Sequence, residues 1–177
     1  MRLLLAILVL GVLTGCTPGA ERAPAVAAVD PAGPPVIAST GASLMQRARN
    51  GAAEVTIVSV WATWCAPCRE KFPAMLATSA RHEGRVRLLL LSADFDDQVA
   101  EARAFLASQG YADTSWIKSE KDQEFIDSVH PQWSGALPAT LVFDREGRLS
   151  AFWEGSADSA RFENAVQKAL TPEGGPS

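Results

Sequence analysis

The stretch that most constrains this chain is WATWCAPCREKFP, residues 61–73, because two kinds of secondary structure meet there across a pair of cysteines. Upstream, EVTIVSVWA (Glu54–Ala62) is rich in β-branched residues and reads as a buried strand. Downstream, residues Ala66–His82 read as a helix interrupted by Pro73 and stopped by Gly84. Cys65 therefore falls at a helix N-terminus, with Cys68 one turn further in.

The rest of the chain repeats this alternation. ASLMQRAR, from about Gly41, is a short amphipathic helix, and RVRLLLLSAD is a second strand apolar enough to be covered on both faces. Gln98–Gln109 reads as a helix closed by Gly110, TSWIK as a short strand, and Gln123–Val129 as a short helix. ATLVFDREGRLSAFWEG is a hairpin turning at Asp144–Gly147, and Asp158 caps a last helix over Ser159–Leu170. The expected fold class is α/β: a central mixed sheet with helices on both faces.

The N-terminal segment has a different character. MRLLLAILVLGVLTGC has one early Arg and an apolar run, Leu3–Leu13, shorter than the roughly 20 residues a spanning helix needs. It reads as a signal peptide over residues 1–15. Leu13-Thr14-Gly15-Cys16 resembles the bacterial lipobox, which implies cleavage before Cys16 and lipidation of its sulfur. Residues 16–40 are dominated by Pro, Ala and Gly, with few large apolar side chains, and are expected to form a flexible tether. A domain over 41–171 and a disordered tail over 172–177 complete the expected organisation. The net charge of −4, without clustered Lys and Arg, argues against a nucleic-acid partner.

With Cys16 assigned to a lipid, Cys65 and Cys68 are the remaining thiols. Structural zinc requires four ligands, and His82 and His130, the two histidines, are far apart in sequence. Covalent heme attachment requires His directly after the second cysteine, where Arg69 stands. A permanent disulfide across two residues adds little loop-closure stability. A redox pair fits best. The helix N-terminus stabilises a thiolate on Cys65, the attacking sulfur, and Cys68 is placed to resolve a mixed disulfide. Pro67 occupies the first turn, where its missing N–H costs nothing. Ala66 and Pro67, between the sulfurs, and the adjoining Trp64 are expected to tune the pair. A Cu(I) metallochaperone using both thiols is the rival of a different class.

Strand–WATWCAPC–helix resembles the thioredoxin fold, and in particular membrane-tethered thiol–disulfide oxidoreductases of the TlpA/ResA/DsbE type. The resemblance runs from about Gly41 to Leu170. It rests also on Pro73, five residues after the second cysteine, and on Gly135-Ala136-Leu137-Pro138-Ala139-Thr140 before the hairpin. It implies that Pro138 is cis and packs against the cysteine pair, while Leu137 offers its backbone to an extended client segment.

It further implies a bacterial-envelope reductant fed by a membrane-embedded thiol donor. The clients would be Cys-pair proteins such as apocytochromes awaiting heme or metal-site assembly proteins. An oxidant or isomerase is the alternative within the same chemistry. Neither a cofactor nor a resident metal is expected, and the protein should be a monomer held to a membrane by its lipid. Two departures stand out. Ser59 replaces the buried acid of thioredoxin, and Lys71 replaces a glutamate common in TlpA-like proteins, with Glu70 one residue early. Glu70 and Lys71 are the candidate proton-transfer residues, and Glu70 is rotated about 100° along the helix from position 71.

Overall fold

The computed structural model describes residues 33–50 and 53–171. The expected signal peptide, Cys16, most of the expected tether and the 172–177 tail lie outside those residues. Six strands form one sheet: β1 (Val36–Ser39), β2 (Val55–Trp61), β3 (Val86–Ser92), β4 (Ser115–Lys118), β5 (Ala139–Phe143) and β6 (Leu149–Glu154). Their spatial order is β1-β4-β3-β2-β5-β6. The first four are mutually parallel, and β5 runs antiparallel to both β2 and β6.

All seven residues of the central strand β2 are buried, and its alternation divides the interior in two. Ile57 and Trp61 face helices α2 (Ala66–Arg81), α3 (Val99–Ser108) and α5 (Ser159–Leu170), meeting Phe72, Leu106 and Phe162. Val58 and Val60 face α1 (Gly41–Arg49) and α4 (Asp122–Val129), meeting Leu44, Met45 and Phe125. Burying a side chain of this size contributes about 1.5–3 kcal/mol, so both faces hold the sheet. No helix among the described residues is long and apolar enough to cross a membrane.

The structure corrects two expectations. The tether was drawn to residue 40, yet Val36–Ser39 pairs with Ser115–Lys118 as an edge strand. The Pro35 carbonyl already accepts from Ser115 N at 2.9 Å. These four residues gain order from the backbone of β4, a source that composition does not reveal. The helix was expected to break at Pro73, but α2 runs without interruption through it. At the hairpin turn Gly147 has φ 76°, and a Cβ there would strike the Arg49 carbonyl, so the turn requires glycine.

Candidate functional site

β2 delivers the chain to the carboxyl end of the sheet, where Ala62–Trp64 turns into α2. Cys65 is the N-cap, with φ −88° and ψ 97°. Its carbonyl accepts from Cys68 N at 3.0 Å and Arg69 N at 3.2 Å, starting the helix. Its Sγ accepts from Cys68 N at 3.3 Å, so a backbone donor points at the sulfur where negative charge would develop. The two sulfurs form a disulfide with Cα atoms 5.2 Å apart. Cys65 is 6% exposed and Cys68 fully buried, which leaves Cys65 as the sulfur a partner can reach.

The loop before Cys65 is held by a residue that the sequence reading overlooked. Asp94, just beyond β3 and fully buried, accepts from Thr63 N at 3.0 and 3.1 Å and from Thr63 Oγ1 at 2.7 Å. Ser92 Oγ donates to the same carboxylate at 2.5 Å, and Ala93 N donates to the Trp61 carbonyl at 2.7 Å. The available signal was an acid at the carboxyl end of a buried strand, next to the junction that carries the cysteines.

Opposite this anchor the Leu137–Pro138 bond is cis. Ala139 stands across from Val60, which sets the cis peptide near the end of β2, and Leu137 packs on the core cluster containing both cysteines. The preceding loop is fixed by Trp133 Nε1 donating to the Ala136 carbonyl at 2.9 Å and by Ser134 N donating to Glu154 Oε1 at 2.6 Å. The Pro138 carbonyl accepts from Gly155 N at 2.8 Å.

Trp64 and Phe95 are 60% and 58% exposed. With Phe125, Trp133 and Leu137 they line a small hollow, largely apolar, whose wall also carries the Lys118–Asp122 ion pair. Trp61, by contrast, is wholly in the core against Phe72 and Phe105. Ala66 and Pro67 are exposed at the start of α2, and the Pro67 carbonyl accepts from Ser156 Oγ at 3.4 Å.

The two candidate proton-transfer residues separate sharply. Glu70 is exposed, whereas Lys71 is 2% exposed and lies on the buried stripe Cys68–Lys71–Phe72–Met75. Burial alone brings the Lys71 amine down to about 7. His130 stacks on Phe152 with centroids 4.3 Å apart, and burial, then the Arg49 cation, push its ring below the ordinary value. Among the described residues no group of three or more His, Cys, Asp or Glu is placed to hold a metal ion.

The chain is 30% identical over 124 residues to the thiol:disulfide interchange protein DsbE homolog of Paracoccus denitrificans, covering 67% of this chain and 63% of that protein. It is 34% identical over 86 residues to thioredoxin 1 of a Nostoc species, covering 49% of this chain and 71% of that one. A crystal structure of a thioredoxin-family thiol:disulfide interchange protein from Chlorobium tepidum superposes with a TM-score of 0.56 at 21% identity. That match covers 81% of this chain and 99% of that chain. The chain spans about half to just under two thirds of the curated interchange proteins it matches. No family model matches it.

Proposed function

The chain belongs to the thioredoxin-fold family of thiol:disulfide interchange proteins, and from that premise we propose that it reduces disulfides of client proteins in the bacterial cell envelope by dithiol exchange through Cys65 and Cys68. One observation carries the reading: a reachable cysteine caps a helix and accepts a backbone N–H at its sulfur, with a second cysteine buried one turn behind.

In the reduced protein the Cys65 thiolate attacks one sulfur of a client disulfide. A Cys65–client S–S bond forms, and the other client sulfur leaves as a thiolate and takes a proton. Cys68 then loses its proton and attacks Cys65 Sγ. The mixed disulfide breaks, the Cys65–Cys68 bond forms, and the second client sulfur departs and is protonated. Two electrons have passed to the client, and a membrane-embedded thiol donor returns the pair to its reduced state.

The same reading assigns the surrounding residues. Leu137, beside cis-Pro138, presents its backbone to an extended client segment, and Trp64 covers one flank of the sulfurs. Ala66 and Pro67 tune the pair. A lipid on Cys16 and the segment after it would keep the domain near the membrane. Cytochrome c maturation and metal-site assembly are the processes whose clients carry suitable cysteine pairs.

The test is reduction of a model protein disulfide by the wild type and two variants. Cys65→Ser should fall to the background rate, and Cys68→Ser should accumulate a covalent Cys65–client adduct visible by non-reducing mass spectrometry. Wild-type turnover by Cys65→Ser would overturn the assignment. A reduction potential near that of thioredoxin, about −270 mV, supports a reductant, whereas about −120 mV assigns the pair as an oxidant.

A further inference from the structure

A lysine inside an apolar stripe needs a reason. Residues three apart on a helix have Cβ atoms about 5–6 Å apart, which puts Lys71 next to Cys68 on the buried face of α2. Its Nζ donates to Thr140 Oγ1 at a long 3.4 Å. Thr140 stands across from Ser59 on one side and Trp153 on the other, all directed by strand alternation toward α2 and α5. Ser59 Oγ and Trp153 Nε1 are buried with no partner among the described residues.

The groups around this amine can be named element by element. The sheet offers two hydroxyls and an indole, none of them a base. Glu70, on the helix of Lys71, is exposed. From the start of α5, Asp158 and Arg161 line the cleft that Lys71 also reaches. The Asp158 carboxylate is occupied as N-cap, accepting from Arg161 N at 2.9 Å, and the Arg161 guanidinium lies over the Trp153 ring. Among the described residues no carboxylate pairs with Lys71. A buried ammonium without a counter-ion is strongly disfavoured. The acid closest along the buried stripe is the thiol of Cys68.

We propose that Lys71 is a positioning residue for the proton of the resolving thiol: its amine gains a proton when Cys68 loses one, so the buried thiolate forms beside an ammonium. This rests on the dithiol-exchange reading. The S–H bond of Cys68 breaks and an N–H bond forms at Nζ. The thiolate attacks Cys65 Sγ, and the client sulfur leaves and takes a proton from water. With the thiolate consumed, the ammonium again lacks a counter-ion and releases its proton through the cleft shared with Glu70 and Asp158. Desolvation, which holds the amine near neutrality, suits it to both halves of the cycle.

The coupling is read without turnover. In a Cys65→Ser background, thiolate absorbance at Cys68 is titrated with and without Lys71→Met, with circular dichroism as the folding control. The midpoint should rise by at least about one pH unit, a tenfold loss of thiolate, in the Met variant. An unchanged midpoint overturns the proposal. Should the double variant not fold, the side-chain resonances of Lys71 in the wild type decide. In the reduced protein the ammonium should persist to higher pH than in the oxidised one, whereas identical titrations in both states overturn the coupling. A chain that failed to reduce disulfides would refute the exchange reading and leave these titrations interpretable.

Discussion

Two buried polar regions flank the cysteine pair in the fold, and they are built on opposite terms. Under the loop before Cys65, Asp94 is an ionisable group with its acceptors filled: Thr63 supplies two donors and Ser92 a third. After Cys68, Lys71 is an ionisable group with one long hydrogen bond and no counter-ion among the described residues. A satisfied network resists change in its shape, which suits a loop that must hold one conformation. An unsatisfied amine responds to any new charge nearby, which suits a site where a thiolate appears and disappears.

Removing the two side chains should therefore move stability in opposite directions. Asp94→Ala leaves three donors without an acceptor and should cost about 3–5 kcal/mol, read as a lower urea midpoint of the oxidised protein. It should slow disulfide exchange as well, because the Thr63 loop sets the position of Cys65. Equal stability in variant and wild type would remove the distinction between the two regions.

Lys71→Met replaces a desolvated amine by an apolar chain of similar volume and should stabilise the oxidised protein by about 1–3 kcal/mol at pH 6. The sign follows from linkage. The amine titrates near 7 when folded and near 10.5 when unfolded, so between those values the unfolded chain holds more protons. Wild-type stability should rise with pH across that window, and the advantage of the Met variant should shrink in step. Thermal melts of the oxidised proteins at pH 6, 8 and 10 measure both. A variant less stable than wild type at pH 6 would mean that the lysine holds the structure together.

The smallest effect belongs to a control at the far end of α2. Hydrogen bonds from His82 first, then from Gln167 and Arg81, hold the Glu163 carboxyl down at about 2. That contribution is present above the usual carboxylate range and is lost as pH falls from about 4.5 toward 2. The carboxylate is 31% exposed, so solvent screening limits Glu163→Gln to less than about 1 kcal/mol at neutral pH. Disulfide exchange by this variant should match the wild type. A large loss of exchange would show that any disturbance of α2 reaches the cysteines, and the Lys71 effect would lose its specificity.

What the sequence made legible, and what it hid, follows the range of the interactions. The cysteine pair, its helix N-terminus and the hairpin glycine are local in sequence and could be read from a few neighbouring residues. The Asp94 anchor joins residues 31 apart, and an acid after a strand looks like an ordinary turn former until its donors arrive in space. Strand β1 draws its hydrogen bonds from β4, nearly eighty residues later, and its own composition gives no sign of them. Lys71 was legible in part: it stands three residues after Cys68, where the resemblance puts a glutamate, but a lysine there could have bent outward to water. Only its 2% exposure and the hydrogen bond to Thr140 across the interior show that its amine stays inside.

The four parallel strands carry one further consequence. Their carboxyl ends point toward Cys65, so β1 begins at the opposite rim of the sheet, and the backbone enters the domain there. A protein of this shape gripped by its N-terminal segment is gripped by its back. Were that segment held at a membrane, as proposed, the sulfurs would face away from the point of attachment, like a plug held at the cable end, and a partner could meet them without passing it.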